Sequence, residues 1–150
     1  MPRTKLKLPA KFQFSTNLTV RVSDVNYAKH LSNDKVLAFM HEARARYLNH
    51  FGFTEMDVDC RGTIQTETVI IYKSEAFHGD KLRIEITPDD FHKYGCDFYY
   101  LITAAKTGSE VARGKTGLVF FDYTARKITQ VPSKFIEKCG QAVQTDRNEP

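Results

Sequence analysis

Near the start of the chain, apolar side chains recur at every second position. In the run 12–22, FQFSTNLTVRV, the residues Leu18, Val20 and Val22 share one face, which is the period of a β-strand. A polar stretch, SDVNYAKHLSND, follows, and then the period changes. Over 33–51, Val36, Met40, Ala43 and Tyr47 recur at three- and four-residue spacing, with Leu37, Leu48 and Phe51 widening the stripe. That pattern predicts one long amphipathic helix, broad enough on its apolar side to lie against a sheet. Ser32 is placed as its N-cap, Asp34 favours the positive end of its dipole, and His50 followed by Gly52 marks its end. Four strand-like runs come next: 62–75, 81–88 (Leu82, Ile84 and Ile86 on one face), 95–105 and 110–123. AFHGD and Thr107–Gly108 read as turns, and Gly114 and Gly117 as a bulge or a close backbone approach. ITQVPSKFIEKC predicts a short terminal helix after Pro132.

Strand, long helix, then a run of strands implies an antiparallel α+β fold rather than an alternating βαβ one. About five strands in a curved sheet, wrapped on the one helix, would bury the apolar stripe. The sheet would keep an open edge, which dimerisation edge to edge would close. The 150 residues fit a single domain over 12–140, between a basic tail (1–11) and a polar tail (141–150).

Charge changes little. The net +4 is accounted for by Arg3, Lys5, Lys7 and Lys11, so the body of the chain is balanced and carries no basic stripe for nucleic acid. The three cysteines, 60, 96 and 139, are odd in number and form no C-x-x-C pair, which argues against a disulfide framework or a structural zinc and for a reducing, cytoplasmic setting. No apolar run approaches the ~18 residues of a membrane span. The phosphate-loop, dinucleotide, H-E-x-x-H and G-x-S-x-G patterns are missing, so neither a metal nor a bound cofactor is expected.

Polar chemistry concentrates in SDVNYAKHLSND: Asp24, Asn26, His30, Asn33 and Asp34 lie within eleven residues, where the first strand feeds the helix start. A helix start exposes unpaired N–H groups and a partial positive charge. With an acid, an amide and an imidazole beside it, such a turn can polarise a carbonyl and position a water. The same residue types also suit a capped loop whose side chains only satisfy the backbone. The residues alone leave both open.

The run Asp24–x–Asn26–x–x–x–His30–Leu31–x–Asn33, followed by a helix carrying HEAR (41–44), resembles the 4-hydroxybenzoyl-CoA thioesterase group of hotdog-fold acyl-CoA thioesterases. IIYKSEAFHGDKL, with Tyr72 and Gly79–Asp80, and ARGKTGLVFFDYTARKITQVP resemble that family's later segments, so that the likeness spans about 12–138. The family motif commonly reads Asp-x-Asp-x-x-Gly-His-Val-Asn-Asn. Here Asn26 stands at the second acid, Lys29 at the glycine and Ser32 at the first asparagine of the pair.

The resemblance implies a hotdog fold and hydrolysis of an acyl-CoA by a homodimer or a dimer of dimers. It makes Asp24 the general base on a water held by Asn26, and has His30 orient the turn or the thioester. The backbone N–H near Asn33 would receive the oxyanion. Glu42 would either support the loop or be solvated. Glu67 is a second candidate acid, facing a partner's helix start or simply solvent. Lys73, Arg113 and Lys115 are candidate cations for the CoA phosphates. The competing readings are a non-catalytic binder of acyl-CoA, motivated by Asn26; a hotdog dehydratase using His30; and a binder of nucleic acid or an anionic surface acting through residues 1–11.

Overall fold

The alternating stretch becomes β1, Phe14–Thr19, and ends earlier than its sequence period predicts, because the chain turns into a 3-10 turn over Val22–Asp24. The computed structural model describes residues 2–140; the tail expected over 141–150 lies outside them. The long helix α1 covers Asn33–His50, and Gly52, at φ +84°, ends it in the left-handed conformation that glycine adopts freely. The strands β2 (Gly62–Tyr72), β3 (Lys81–His92), β4 (Gly95–Ala104) and β5 (Glu110–Asp122) follow. A sixth, β6 (Lys127–Thr129), pairs with the end of β5. Three residues with one apolar side chain carry no alternation, so β6 leaves no trace in the pattern. After Pro132 the expected terminal helix is one short turn, Ser133–Phe135 (α2), which widens into a π-type turn over Ile136–Gly140.

The sheet is wholly antiparallel, in the order β1-β3-β4-β5-β2. The strand that follows the helix therefore lies at the far edge from β1. Leu82, Ile84 and Ile86 of β3 and Cys96, Phe98, Tyr100 and Ile102 of β4 are fully buried on the face that meets α1. The helix supplies Val36, Phe39, Met40, Ala43, Tyr47 and Leu48. Leu37, expected on the stripe, is exposed at its margin, and Phe39 takes the buried place. A Cβ added at Gly114 would lie 2.7 Å from Met40 Cε and 3.1 Å from the Val69 carbonyl, so the missing side chain is what seats the helix on the sheet. Gly117 lies opposite the bulge at Gln65–Glu67 of β2. Phe135 closes one end of the core among Phe53, Phe91, Phe98 and Phe120, at ring-centroid distances of 5.2–6.4 Å.

The basic tail is tied to the sheet where the Leu6 carbonyl accepts a hydrogen bond from Arg113 Nη1 (2.9 Å). Leu6, Leu8 and Pro9 are half-buried, while Arg3, Lys5, Lys7 and Lys11 stay exposed. Among the described residues no helix is long and apolar enough to cross a membrane.

Candidate functional site

The polar turn between β1 and α1 is held by its own backbone. The Asn26 N–H donates to the His30 carbonyl (3.0 Å) and the Lys29 N–H to the Asn26 carbonyl (2.9 Å). The Asn26 side chain accepts from the Ala28 N–H at 3.0 Å, an Asx turn. Lys29 sits at φ +66°, a conformation that costs a lysine energy and a glycine almost none. Two further bonds fix the turn to its surroundings: Ser32 N–H to the Asp24 carbonyl (2.9 Å), and Leu31 N–H to the Ala76 carbonyl (2.7 Å).

At the start of α1 the N–H groups of Lys35 and Val36 both reach the Ser32 carbonyl. The Asp34 carboxylate accepts from the Ser32 hydroxyl, which, with its own and the Lys35 backbone N–H, holds it below the usual carboxylate range. The Asn33 N–H is left with no acceptor among the described residues. Asn33 lines a cleft of about 230 Å³ with His30, Val36, Tyr72, Glu75 and Ala76. The Tyr72 hydroxyl donates to the Asn33 carbonyl at 3.3 Å. His30 Nε2 lies 3.8 Å from Glu75 Oε1.

Asp24 faces elsewhere. Its side chain is 1% exposed and accepts from the Arg21 backbone N–H (2.8 Å), Nε (3.2 Å) and Nη2 (3.3 Å). Burial by itself would raise this carboxyl, but the Arg21 hydrogen bonds and charge outweigh it and hold the group below its ordinary value. The carboxylate borders a second cavity of about 510 Å³, on whose wall Lys35, Phe39, Glu42 and Arg46 also lie. Asp24 and His30 therefore flank one turn but line different cavities.

The remaining sequence candidates are scattered. Glu42 pairs with Arg46 Nε (3.0 Å), whose Nη1 reaches Thr16 Oγ1 (2.8 Å) and the Asn17 carbonyl (3.1 Å), so this pair ties α1 to β1 rather than to the loop. Glu67 is exposed beside the β2 bulge, 3.4 Å from Lys115. Lys115 also faces Asp97 at 3.9 Å, and burial raises the Asp97 carboxyl. Arg113 is committed to Glu110 (2.6 and 3.1 Å) and to Leu6. Of the three expected CoA cations, only Lys73 lines the cleft.

Sequence reading did not single out Glu75. It ends the strand-like run 62–75, just before the AFHGD turn, and its nearness to His30 comes from the bridge between His30 and Phe77. The Arg44 network is also new. This guanidinium, 4% exposed, donates to Glu55 Oε1 (3.0 Å) and to the Tyr100 hydroxyl (3.0 Å), which in turn bonds Thr116 (2.8 Å). All three cysteines are free thiols. Burial holds Cys96 and Cys139 protonated, Cys139 pushed up to about 11, so neither offers a thiolate nucleophile. Among the described residues no three His, Cys, Asp or Glu side chains are grouped as metal ligands would be.

The fold is similar to that of several solved thioesterases. A 1,4-dihydroxy-2-naphthoyl-CoA thioesterase from Synechocystis is 21% identical, with a TM-score of 0.76 over 91% of this chain and 98% of that one. A DHNA-CoA thioesterase from Staphylococcus aureus is 17% identical, with a TM-score of 0.77 over 89% and 92%. A gentisyl-coenzyme A thioesterase is 16% identical, with a TM-score of 0.72 over 81% and 98%. No curated protein matches the sequence. The family model that describes the thioesterase-like superfamily matches residues 20–139, and the chain belongs to that superfamily.

Proposed function

We propose that the protein hydrolyses an acyl-CoA thioester in the cleft at the start of α1, giving a free acid and CoA. The single observation that carries this reading is the Asn33 N–H, an unpartnered helix-start donor that opens on the same cleft as an imidazole. The thioester carbonyl oxygen sits at that N–H, where the helix end stabilises the charge that develops on it. A water attacks the carbonyl carbon and passes its proton to His30. The tetrahedral oxyanion collapses, the C–S bond breaks, and the departing CoA sulfur takes the proton back.

Asp24 was expected as the base. Its charge is engaged by Arg21 and it borders the other cavity, so in this proposal it sets the geometry of the turn and His30 accepts the proton. Lys73 is the cation available for CoA at the cleft mouth. A second copy of the chain completes the site along the free edge of β2, where Gln65–Thr68 are exposed. The related thioesterases named above act on aryl-CoA esters, which supports an aryl-CoA as the first substrate to assay. Three free thiols suit a reducing cytoplasm.

Asn33→Pro tests the mechanism. Asn33 is the first helical residue, a position proline favours, and Ser32 before it is already extended (φ −71°, ψ 147°). The substitution removes the N–H and leaves the helix start intact. Free-thiol release from a panel of acyl-CoAs should fall about 10²–10³-fold. Wild-type protein that binds acyl-CoA by calorimetry without releasing thiol would instead favour the non-catalytic binder, for which Asn26, held in its Asx turn, is the supporting observation.

A further inference from the structure

We propose that Glu75 is the positioning residue of this site, acting through His30; the inference rests on the thioesterase reading above. Both side chains leave backbone that is fixed in place. On one side, Leu31 N–H binds the Ala76 carbonyl at 2.7 Å and Asn26 N–H binds the His30 carbonyl at 3.0 Å. On the other, Ser74 Oγ binds the Glu110 carbonyl at 2.7 Å, and the Lys73 and Ser74 N–H groups bind the Val111 carbonyl. The carboxylate is thus delivered 3.8 Å from His30 Nε2, close enough for charge attraction and too far for a hydrogen bond. Oriented this way, Nε2 carries the hydrogen and Nδ1 is the nitrogen that takes the proton of the attacking water. The other ionisable groups on the cleft wall are Tyr72 and Lys73; Tyr72 is turned to the Asn33 carbonyl, and neither is within ion-pair or hydrogen-bond distance of His30.

Glu75 is 63% exposed, so its replacement leaves the core untouched. In the full-length chain, Glu75→Gln should lower kcat roughly threefold to tenfold with KM unchanged, and Glu75→Asp should recover part of the loss. In a His30→Gln background the same Glu75→Gln change should have no further effect on kcat, the non-additivity of two residues acting as one unit. An undiminished Glu75→Gln effect in that background overturns the proposal, as does a raised KM with kcat intact, which would make Glu75 a substrate contact. A readout independent of turnover is long-range ¹H–¹⁵N correlation of the His30 ring in its neutral form. Wild type should show a larger share of the Nε2–H tautomer than Glu75→Ala; identical ring spectra overturn the pairing. If no acyl-CoA is hydrolysed but the ring spectra differ as expected, the thioesterase reading fails and the pairing stands.

Discussion

Asp24 is a buried carboxylate under an arginine that is itself mostly in solvent, and its energetic role follows from that asymmetry. The exposed guanidinium loses little if the pair breaks, whereas the buried oxygens lose two of their three donors and keep only the Arg21 backbone N–H. Asp24→Asn should destabilise the fold by about 1–2 kcal/mol at pH 7. Because the folded-state pKa is lowered from the ordinary value of 3.8, this stabilisation is fully present above that value and is lost as pH falls through the lower, folded one. Urea melts of wild type and Asp24→Asn should therefore differ by a constant amount from pH 7 to about 5 and converge below pH 4. At this scale the residue types of the turn were legible, since acid, amide and imidazole crowd into eleven positions. Their directions were not, because which cavity each one borders depends on where β1 ends and the 3-10 turn begins.

Helix α1 shows what element-level patterns capture and what they miss. Its apolar stripe and its end at Gly52 follow from the sequence, as does the close approach at Gly114; Ser32 stands at the N-cap position, but its hydroxyl bonds the Asp34 side chain and caps no backbone N–H. Arg44 lies on the same buried face, and no pattern accounts for it: its partners are Glu55, in the loop after the helix, and Tyr100, on a strand far along the chain, which in turn bonds Thr116. Its removal should be expensive. Arg44→Ala leaves a hole and takes one partner each from Glu55, which keeps His41 (2.9 Å), and from the Tyr100 hydroxyl, which keeps Thr116, for a loss of roughly 2–4 kcal/mol. Arg44→Met, which keeps the aliphatic volume, should lose about half as much. Chemical denaturation of the two variants separates the packing contribution from the charge contribution. Equal losses would mean that the guanidinium hydrogen bonds contribute nothing net.

For the whole molecule, the sheet order leaves β1 and β2 as edges, and β2 is the longer by five residues. Past Thr63, whose N–H is taken by the Glu55 carbonyl, the outer edge of β2 carries no proline and forms a template for another strand. The proposed dimer uses it, and sedimentation should give twice the chain mass. Thr66, skipped in the register between β2 and β5, can be replaced by proline without breaking a paired position. Thr66→Pro should yield a folded monomer with an unchanged far-UV spectrum and no thiol release. A variant that is still dimeric would move the interface away from this edge.

The chain by itself determined the period of the five longer strands, the single long helix, the antiparallel class and the crowding of polar residues at the helix start, because these depend on neighbours within a few positions. Tertiary structure alone decided that Asp24 and His30 part company across one turn and that Glu75, forty-five positions after His30, returns to it. It also decided that Arg44 is buried between Glu55 and the distant Tyr100. Such contacts are set by sheet order and strand register, which depend on packing between segments far apart in sequence and leave no local periodicity to be read.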